Sequence, residues 1–367
     1  MPEEAARFRR EFGAAPGGMI RALMRVTTGA VGGGGTRARH GVRAVLALLA
    51  LLALLAPRPA AAQELTLFGG ASTARDLDES TYAWKIEYRQ GLGEHFELSY
   101  SWLNEGHVTG HHRDGHGLQL WARERLRGGR LSLAVGAGAM RYYDTVDSHP
   151  WRPYANEHGF AGLFSADAAL YVGNRWVVRA EANVAWAPPA STDAWNVLAG
   201  LGYQLAPPEA PGSRPWPARQ EEPTTGNEVT AFVGQTVVNG FESAKALAWA
   251  VEFRKGFGRF FEASVSYVHE GDSRLVRRAG FGVQGWLGRA FLDRRLTVSL
   301  GVGVYLATDE YKPLHTEGDS RTVAGQITPS VSYRFGSRAL ARFSWNRMAS
   351  SYHRDTDVFL LGVGRRF

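Results

Sequence analysis

Thirteen residues, Asn104-Glu-Gly-His-Val-Thr-Gly-His-His-Arg-Asp-Gly-His116, carry His107, His111, His112 and His116 together with Glu105 and Asp114. Neutral imidazole and carboxylate are the ligands that zinc, nickel and copper take. Read as an external loop, this segment is a candidate surface metal site, with His149, Glu157 and His158 in the next loop. Its spacing fits no fixed ligand pattern, so a polar surface loop is the alternative. A second constellation, Ser350-Ser-Tyr-His-Arg-Asp355, puts Ser350, His353 and Asp355 close together in sequence. A working triad needs a scaffold that holds the three groups in fixed mutual geometry, and neighbours on one loop seldom meet that demand. No catalytic residue is assigned, and no cofactor is implied.

The third set consists of charges at alternating positions. In Tyr82-Ala-Trp-Lys-Ile-Glu-Tyr-Arg89 the even positions are aromatic or aliphatic, and the odd ones are Ala83, Lys85, Glu87 and Arg89. Phe96, Leu98, Tyr100 and Trp102 alternate likewise with Glu97, Ser99, Ser101 and Leu103. Successive side chains of a strand point to opposite faces, so each segment has one apolar and one polar face. In a transmembrane barrel the apolar face meets lipid and the polar face lines the interior. Trp84, Trp102, Trp176, Trp186, Trp249, Phe261 and Tyr267 fall near strand ends, as interfacial aromatic girdles do. Connections alternate in length. Residues 91–95, 127–130 and 173–175 are tight; 104–117, 144–159 and 187–193 are long. This is the pattern of short periplasmic turns and long external loops.

The polar set recurs. Glu87, Arg89, Glu97, Ser99, Ser101, Glu105 and Gln119 reappear, in order and at one constant offset, as Glu252, Arg254, Glu262, Ser264, Ser266, Glu270 and Gln284. Trp84, Trp121, Gly136, Gly138 and Asp144 recur at the same offset, and Arg179 and Asn183 match Arg342 and Asn346. A register kept through three loops reads as a duplication. Each copy reads as eight strands, near 65–73, 81–91, 96–105, 115–126, 131–143, 160–172, 176–187 and 195–205 in the first. Pro329 falls inside a strand, where a bulge is expected. The fold class is therefore all-β, a transmembrane antiparallel β-barrel of sixteen strands in two eight-strand repeats. They could form tandem barrels or one fused barrel. Inside a narrow barrel Glu87, Arg89, Glu97, Gln119, Glu252, Arg254, Glu262 and Gln284 must pair as structural filling. Inside a wide one they would line a pore. Paired carboxylates can also do general acid–base work, but nothing nucleophilic accompanies these.

Ahead of the strands, Arg37, Arg39, His40 and Arg43 precede the apolar run Val45 to Ala56, and Ala60-Ala61-Ala62 precedes Gln63. A basic region, a short apolar core and a small-residue site make a secretory signal, cleaved near Ala62. The apolar run is too short to span a membrane as a helix, which takes about 20 residues. Met19 or Met24 would make a more ordinary start. Residues 1–62 hold nine of the 42 basic and three of the 35 acidic residues, which leaves the mature chain at a net +1. The basic character belongs to the precursor and does not argue for nucleic acid. The chain has no cysteine, which excludes disulfide staples, thiolate metal sites and a lipidated N-terminal cysteine. The expected organisation is an N-terminal extension and signal at 1–62, a first repeat at 63–205, a Pro-rich linker at 206–227 and a second repeat at 228–367.

Arg342-Phe-Ser-Trp-Asn-Arg347, followed by Asp355-Thr-Asp-Val-Phe-Leu-Leu-Gly-Val-Gly-Arg-Arg-Phe367, resembles the end of the outer-membrane lipid A 3-O-deacylases. Those are eight-strand barrels in which a His-x-Ser-Asn stretch on the penultimate strand supplies the catalytic His and Ser. Setting Asn346 on the family's Asn places Phe343 at the His and Trp345 at the Ser; around Asn183 the two places hold Ala180 and Ala182. The resemblance covers only the last two strands of each copy, implies the architecture and lacks the dyad. As a whole the chain also resembles duplicated outer-membrane β-barrel proteins of an uncharacterised family, with Asn-Glu-Gly-His and His-Arg-Asp-Gly segments.

The resulting expectation is an outer-membrane barrel of structural or interaction type, its external loops exposed to envelope lipid, ions or outside partners. A sixteen-strand porin-like channel for small polar solutes is the alternative, and a lipid A acyl hydrolase the third reading. The expected partners are outer-membrane lipid and the barrel-assembly machinery, the latter through the closing strand that ends in Phe367.

Overall fold

A computed structural model describes residues 63–92, 94–147, 154–173, 175–187, 192–205, 226–257, 260–311 and 321–367. The expected export signal, residues 206–225 of the linker, and His149 lie outside them. The first eight strands are β1 (Gln63–Ala74), β2 (Glu79–Gly91), β3 (Phe96–Val108), β4 (His111–Leu126), β5 (Leu131–Val146), β6 (Ala155–Val172), β7 (Trp176–Trp186) and β8 (Ala194–Gln204). The second eight are β9 (Asn227–Val238), β10 (Lys245–Phe257), β11 (Phe261–Asp272), β12 (Arg277–Phe291), β13 (Leu296–Asp309), β14 (Arg321–Arg334), β15 (Ala339–Ala349) and β16 (Thr356–Arg366).

Within each group of eight, neighbours in sequence pair antiparallel. β1 also pairs with β8, and β9 with β16, so the chain forms two closed eight-strand barrels. The fused sixteen-strand barrel is not the one adopted, because each group of eight satisfies its own edge strands.

Alternation decides which side chains enter. On β2, Ala83, Lys85, Glu87 and Arg89 are buried, while Trp84, Ile86 and Tyr88 between them are half-buried and face out. The outer surface exposes Leu67, Val135, Val197, Val233, Val323 and Leu361, each more than half accessible. Apolar side chains turned outward around a charged interior are the reverse of a soluble barrel and suit hydrocarbon.

The interior of a narrow barrel has room for only some large side chains, and glycines make that room. Trp121 points in against Gly136, where a Cβ would lie 2.6 Å from the indole; Trp286 meets Gly301 at 2.7 Å. Phe68 and Phe232 lie in the same way against Gly200 and Gly362, each 2.5 Å from the missing Cβ. The duplicated glycines are thus the complements of rings at matching places in the two barrels.

Three expectations need correction. Residues 104–117 are not a long loop: β3 and β4 continue through them to a tight turn at Thr109 and Gly110. The pairing absorbs a bulge at Glu105 and Gly106 (φ +71°), and a matching one occurs at Glu270 and Gly271 (φ +78°). Residues 144–159 are not all loop either, because β5 runs on to Val146 and β6 already begins at Ala155. Pro329 causes no bulge. The β14–β15 ladder skips Thr328 and Pro329 and resumes in the same register at Ser330 and Ser344. One missing N–H interrupts the ladder without adding a residue.

Candidate functional site

The interior charges of the first barrel form one network. Arg89 donates from Nε (2.9 Å) and Nη2 (2.7 Å) to Glu87, and from Nη1 to Asp167 at 3.0 Å. Lys85 binds Glu87 at 3.0 Å and also Glu181; Arg179 joins Asp167 at 2.5 Å to Glu64; Arg123 closes on Glu97. The Arg89 guanidinium lies 3.9 Å from the Trp121 ring, whose Nε1 donates to Ser99 Oγ at 2.8 Å. Gln119 donates to Ser165 Oγ at 2.9 Å.

The second barrel repeats the centre of this arrangement. Arg254 donates to Glu252 at 3.1 Å and Glu262 at 3.2 Å, and stacks 3.5 Å from Trp286, which donates to Ser264 at 2.8 Å. Gln284 donates to Thr328 Oγ1 at 2.9 Å. Arg342 bridges Glu252 (2.8 Å) and Glu228 (2.5 Å). Where the first barrel has Lys85, Asp167 and Glu181, the second has Ala250, Ser330 and Ser344, so one cation and two anions were exchanged together. Above each network the bulge turns a carboxylate inward: Glu105 meets Arg113 at 2.5 Å and Glu270 meets Arg278 at 2.6 Å. The eight polar residues read as an interior lining lie on the buried faces of their strands. Glu87, Arg89, Glu97, Gln119, Glu252, Arg254, Glu262 and Gln284 are each at most 5% accessible. A lining exposed to a water column would be accessible; these groups are packed against each other.

The four histidines do not converge. The His107 and His112 rings stack at 3.9 Å across the β3–β4 hairpin. His111 turns its Nδ1 to Asp144 Oδ2 at 2.9 Å. His116 is buried, 2.7 Å from the Tyr100 hydroxyl and edge-on to Trp102. Among the described residues no group of three or more His, Asp and Glu is arranged to hold a metal ion.

What gathers Asp114, His116 and Trp102 instead is the other barrel. All three face outward, yet all are buried. Trp102 stacks on Trp345 of β15 with ring centres 3.3 Å apart. Arg347, on the outer face of β15, donates to Asp114 at 2.5 Å and to Asp357 of β16 at 2.8 and 3.0 Å. Its guanidinium also lies 4.8 Å from the Tyr143 ring. Towards the loops, His158 Nε2 sits 2.5 Å from Asp355 Oδ2, and Asn156 donates to the Asn239 carbonyl at 2.7 Å. Tyr154 reaches over to Val238 and Val276, and its ring lies 2.7 Å from where a Gly240 Cβ would stand. Burial raises the Tyr154 phenol above its ordinary pKa.

At the opposite end the seam runs between β1 and β12. With its amide oxygen turned to it, Gln63 accepts from Arg289 Nε at 2.9 Å and Nη2 at 3.0 Å. Strands tilted by about 35–45° bring different strands to one side of a barrel at its two ends. The seam therefore passes from β3–β6 down to β1 on one barrel and from β15–β16 down to β12 on the other.

Sequence reasoning placed Trp102 in a lipid girdle and Asp114 and His116 in a loop; both readings are corrected by the seam. A signal for it was present. The counterparts of Asp114 and His116 in the second repeat are Ala279 and Phe281, and the counterpart of Arg347 in the first is Val184. At these positions polar residues stand on the faces that meet, and their counterparts on the faces that do not are apolar.

Ser350 and Asp355 do come together, but not as a triad. Asp355 accepts from the Ser350 amide at 2.7 Å and hydroxyl at 3.3 Å, while His353 bonds the Asn156 carbonyl at 3.0 Å. The Ser350 hydroxyl also accepts from the Arg354 amide at 2.9 Å. It is thus held by a carboxylate and a backbone amide, while the imidazole of His353 turns to the other barrel. At the positions of the deacylase dyad, Phe343 is exposed on the outer face and Trp345 lies in the seam.

Fold and site together define a tandem pair of closed, antiparallel eight-strand barrels with filled interiors. No family model matches the chain, and no curated protein does. Among solved structures it is similar to the N-terminal β-barrel domain of Pseudomonas aeruginosa OprF, at 15% identity over 40% of this chain and 98% of that one, with a TM-score of 0.32. It is also similar to the β domain of the Bordetella autotransporter Brka (9% identity, 84% and 99% covered, TM-score 0.21). The Ralstonia pickettii toluene transporter TbuX is a third (11% identity, 85% and 90% covered, TM-score 0.21).

Proposed function

We propose that the chain is an outer-membrane protein of structural or interaction type: two plugged barrels fastened side by side, anchored in lipid and presenting their joined loop ends outside. The observation that carries this reading is the sealing of the interior ion pairs in both barrels, with Glu87 at 0% and Arg254 at 1% accessibility. Buried charges packed against each other in ion pairs fill a narrow barrel and leave no water-filled path for solute. The strands are 11–18 residues long, and a tilted strand needs about 9–11 to cross the hydrocarbon. In this reading the signal at 1–62 is removed near Ala62 and the turn end faces the periplasm. The closing strand β16, with the exposed Phe367, is the segment offered to the assembly machinery.

The test is conductance of the refolded chain in a planar bilayer. Folded protein, verified by its resistance to protease in vesicles, should show no steady steps. Steps of porin size would overturn the reading in favour of a channel. An acyl hydrolase is opposed by Phe343 and Trp345 standing where the His and Ser would be; unchanged lipid A acylation on expression of the protein is the expected result.

A further inference from the structure

Of the four histidines in the β3–β4 hairpin, two stand directly opposite each other. His107 and His112 are partners in the ladder, one pair in from Val108 and His111 beside the turn. Their rings stack with centres 3.9 Å apart and planes inclined by 26°. β3 and β4 are 13 and 16 residues long, and a tilted strand uses about 9–11 to cross the hydrocarbon. Counted from the turn end, the pair stands beyond that stretch, within reach of ions in water.

The bulge fixes which nitrogen of His112 is bare. Asn104 Oδ1 accepts from the Gly106 amide at 3.0 Å, so its Nδ2 is the atom 3.2 Å from His112 Nε2. An amide nitrogen only donates, and Nε2 therefore presents a lone pair. Burial, and then the neighbouring His107, lower the His112 pKa to about 4, and burial lowers that of His107. At pH 7 both rings are neutral, the form in which imidazole ligates a metal. The carboxylates of Asp357 and Asp144 and the guanidinium of Arg347 are near enough for their charges to act on His112. Two of these three favour a cation there.

The second barrel builds the same place from a different pair. The counterparts are Asp272 and Arg277, also directly opposite each other. Opposite charges facing across a ladder attract. Two neutral imidazoles have no such attraction; what they bring to one place is two nitrogen lone pairs. Cβ atoms of directly opposite residues lie about 4.5–5.5 Å apart, and a metal–imidazole bond measures about 2.0–2.1 Å. Rotation of the two rings about their side-chain bonds therefore brings one nitrogen of each to a single ion without moving the backbone.

We infer that His107 and His112 form a two-imidazole binding site for a divalent transition-metal ion at the loop end of the first barrel. Imidazole suits zinc, nickel and copper, and copper(II) binds a nitrogen site most tightly of the three. The site does not depend on the interior being sealed, so it stands apart from the proposal of a non-conducting pair.

The test uses the refolded chain, made without a histidine tag, in neutral detergent at pH 7. Copper(II) is titrated and followed by electron paramagnetic resonance, which counts the coordinated nitrogens. The variant H107D/H112R carries the second barrel's own pair and should fold, as resistance to protease in vesicles verifies. Losing groups that merely orient a ligand costs about 10–100-fold in metal affinity, so losing both ligands should cost at least about tenfold. His111→Ala, which removes the adjacent imidazole held by Asp144, should bind as the wild type does. A wild-type spectrum with fewer than two imidazole nitrogens overturns the inference on its own. So does equal affinity of wild type and folded variant, or an equal loss in His111→Ala.

Discussion

Arg347 of β15 reaches out of its own barrel to Asp114 of β4, Nη2 to Oδ2 at 2.5 Å, across 233 residues of sequence. It holds Asp357 with the same guanidinium. The three side chains face what would otherwise be lipid, where an isolated charge costs about 2.5–3.5 kcal/mol at the centre of the bilayer. Docking the barrels lets each charge find its partner, and the apolar counterparts Ala279 and Val184 show what those positions carry when they meet no partner.

Replacing Arg347 by Met leaves Asp114 and Asp357 facing each other without that cation. Breaking a buried pair by removing one partner costs about 3–5 kcal/mol. Asp114→Asn should cost clearly less, because Arg347 keeps Asp357. Urea unfolding in vesicles, read by tryptophan fluorescence, checks the order. Two equally small losses would mean that the barrels are not docked through this pair.

The ring-facing glycines make a sharper test of the interior. Gly136→Ala and Gly301→Ala each drive a methyl into an indole, and overpacking of this kind costs about 1–3 kcal/mol. Gly285→Ala, with nothing within 4 Å of the added carbon, should be close to neutral. The same unfolding assay ranks the three.

The bulge glycines should resist substitution. Gly106 and Gly271 have positive φ, and a Cβ at Gly106 would also stand 2.7 Å from the Thr81 side chain. Strain at such positions costs about 1–3 kcal/mol. Loss of the bulge would also withdraw Glu105 from Arg113. Hydrogen exchange in the β3–β4 hairpin of Gly106→Ala should rise relative to the rest of the barrel.

Tyr352, in the turn between β15 and β16, donates to Asp309 Oδ2 at 2.7 Å and accepts from Arg278 at 3.0 Å. Burial, aided by Asp309 and opposed by Arg278, pushes its phenol up to about 12. The folded state therefore favours the protonated form. Its contribution is complete below the unfolded value near 10 and is lost as pH rises from there to about 12. Stability of the wild type should fall more steeply than that of Tyr352→Phe across this window. Parallel curves would remove Tyr352 as the cause.

The strands and their inward faces were legible because both follow from neighbours in sequence. Alternation assigns Glu87 and Arg89 to one side, and their repeats Glu252 and Arg254 fall on the same face. The seam was not legible along the chain. Asp114 and His116 are polar residues beside glycines and histidines, and they read locally as loop; Trp102 reads as an interfacial aromatic. Only an outer face covered by a second barrel makes them part of a strand in a membrane.

Closure belongs to the same division. Local pattern determined sixteen strands, their order and the charged interior they share. Whether β8 turns back to β1 or carries on to β9 was left open by that pattern, since the free edge of either strand offers the same backbone donors and acceptors. Tertiary structure decided it, and with it whether the inward charges line water or seal against each other. Strand periodicity is a property of adjacent residues, whereas closure and docking depend on partners that lie 83 to 233 residues apart.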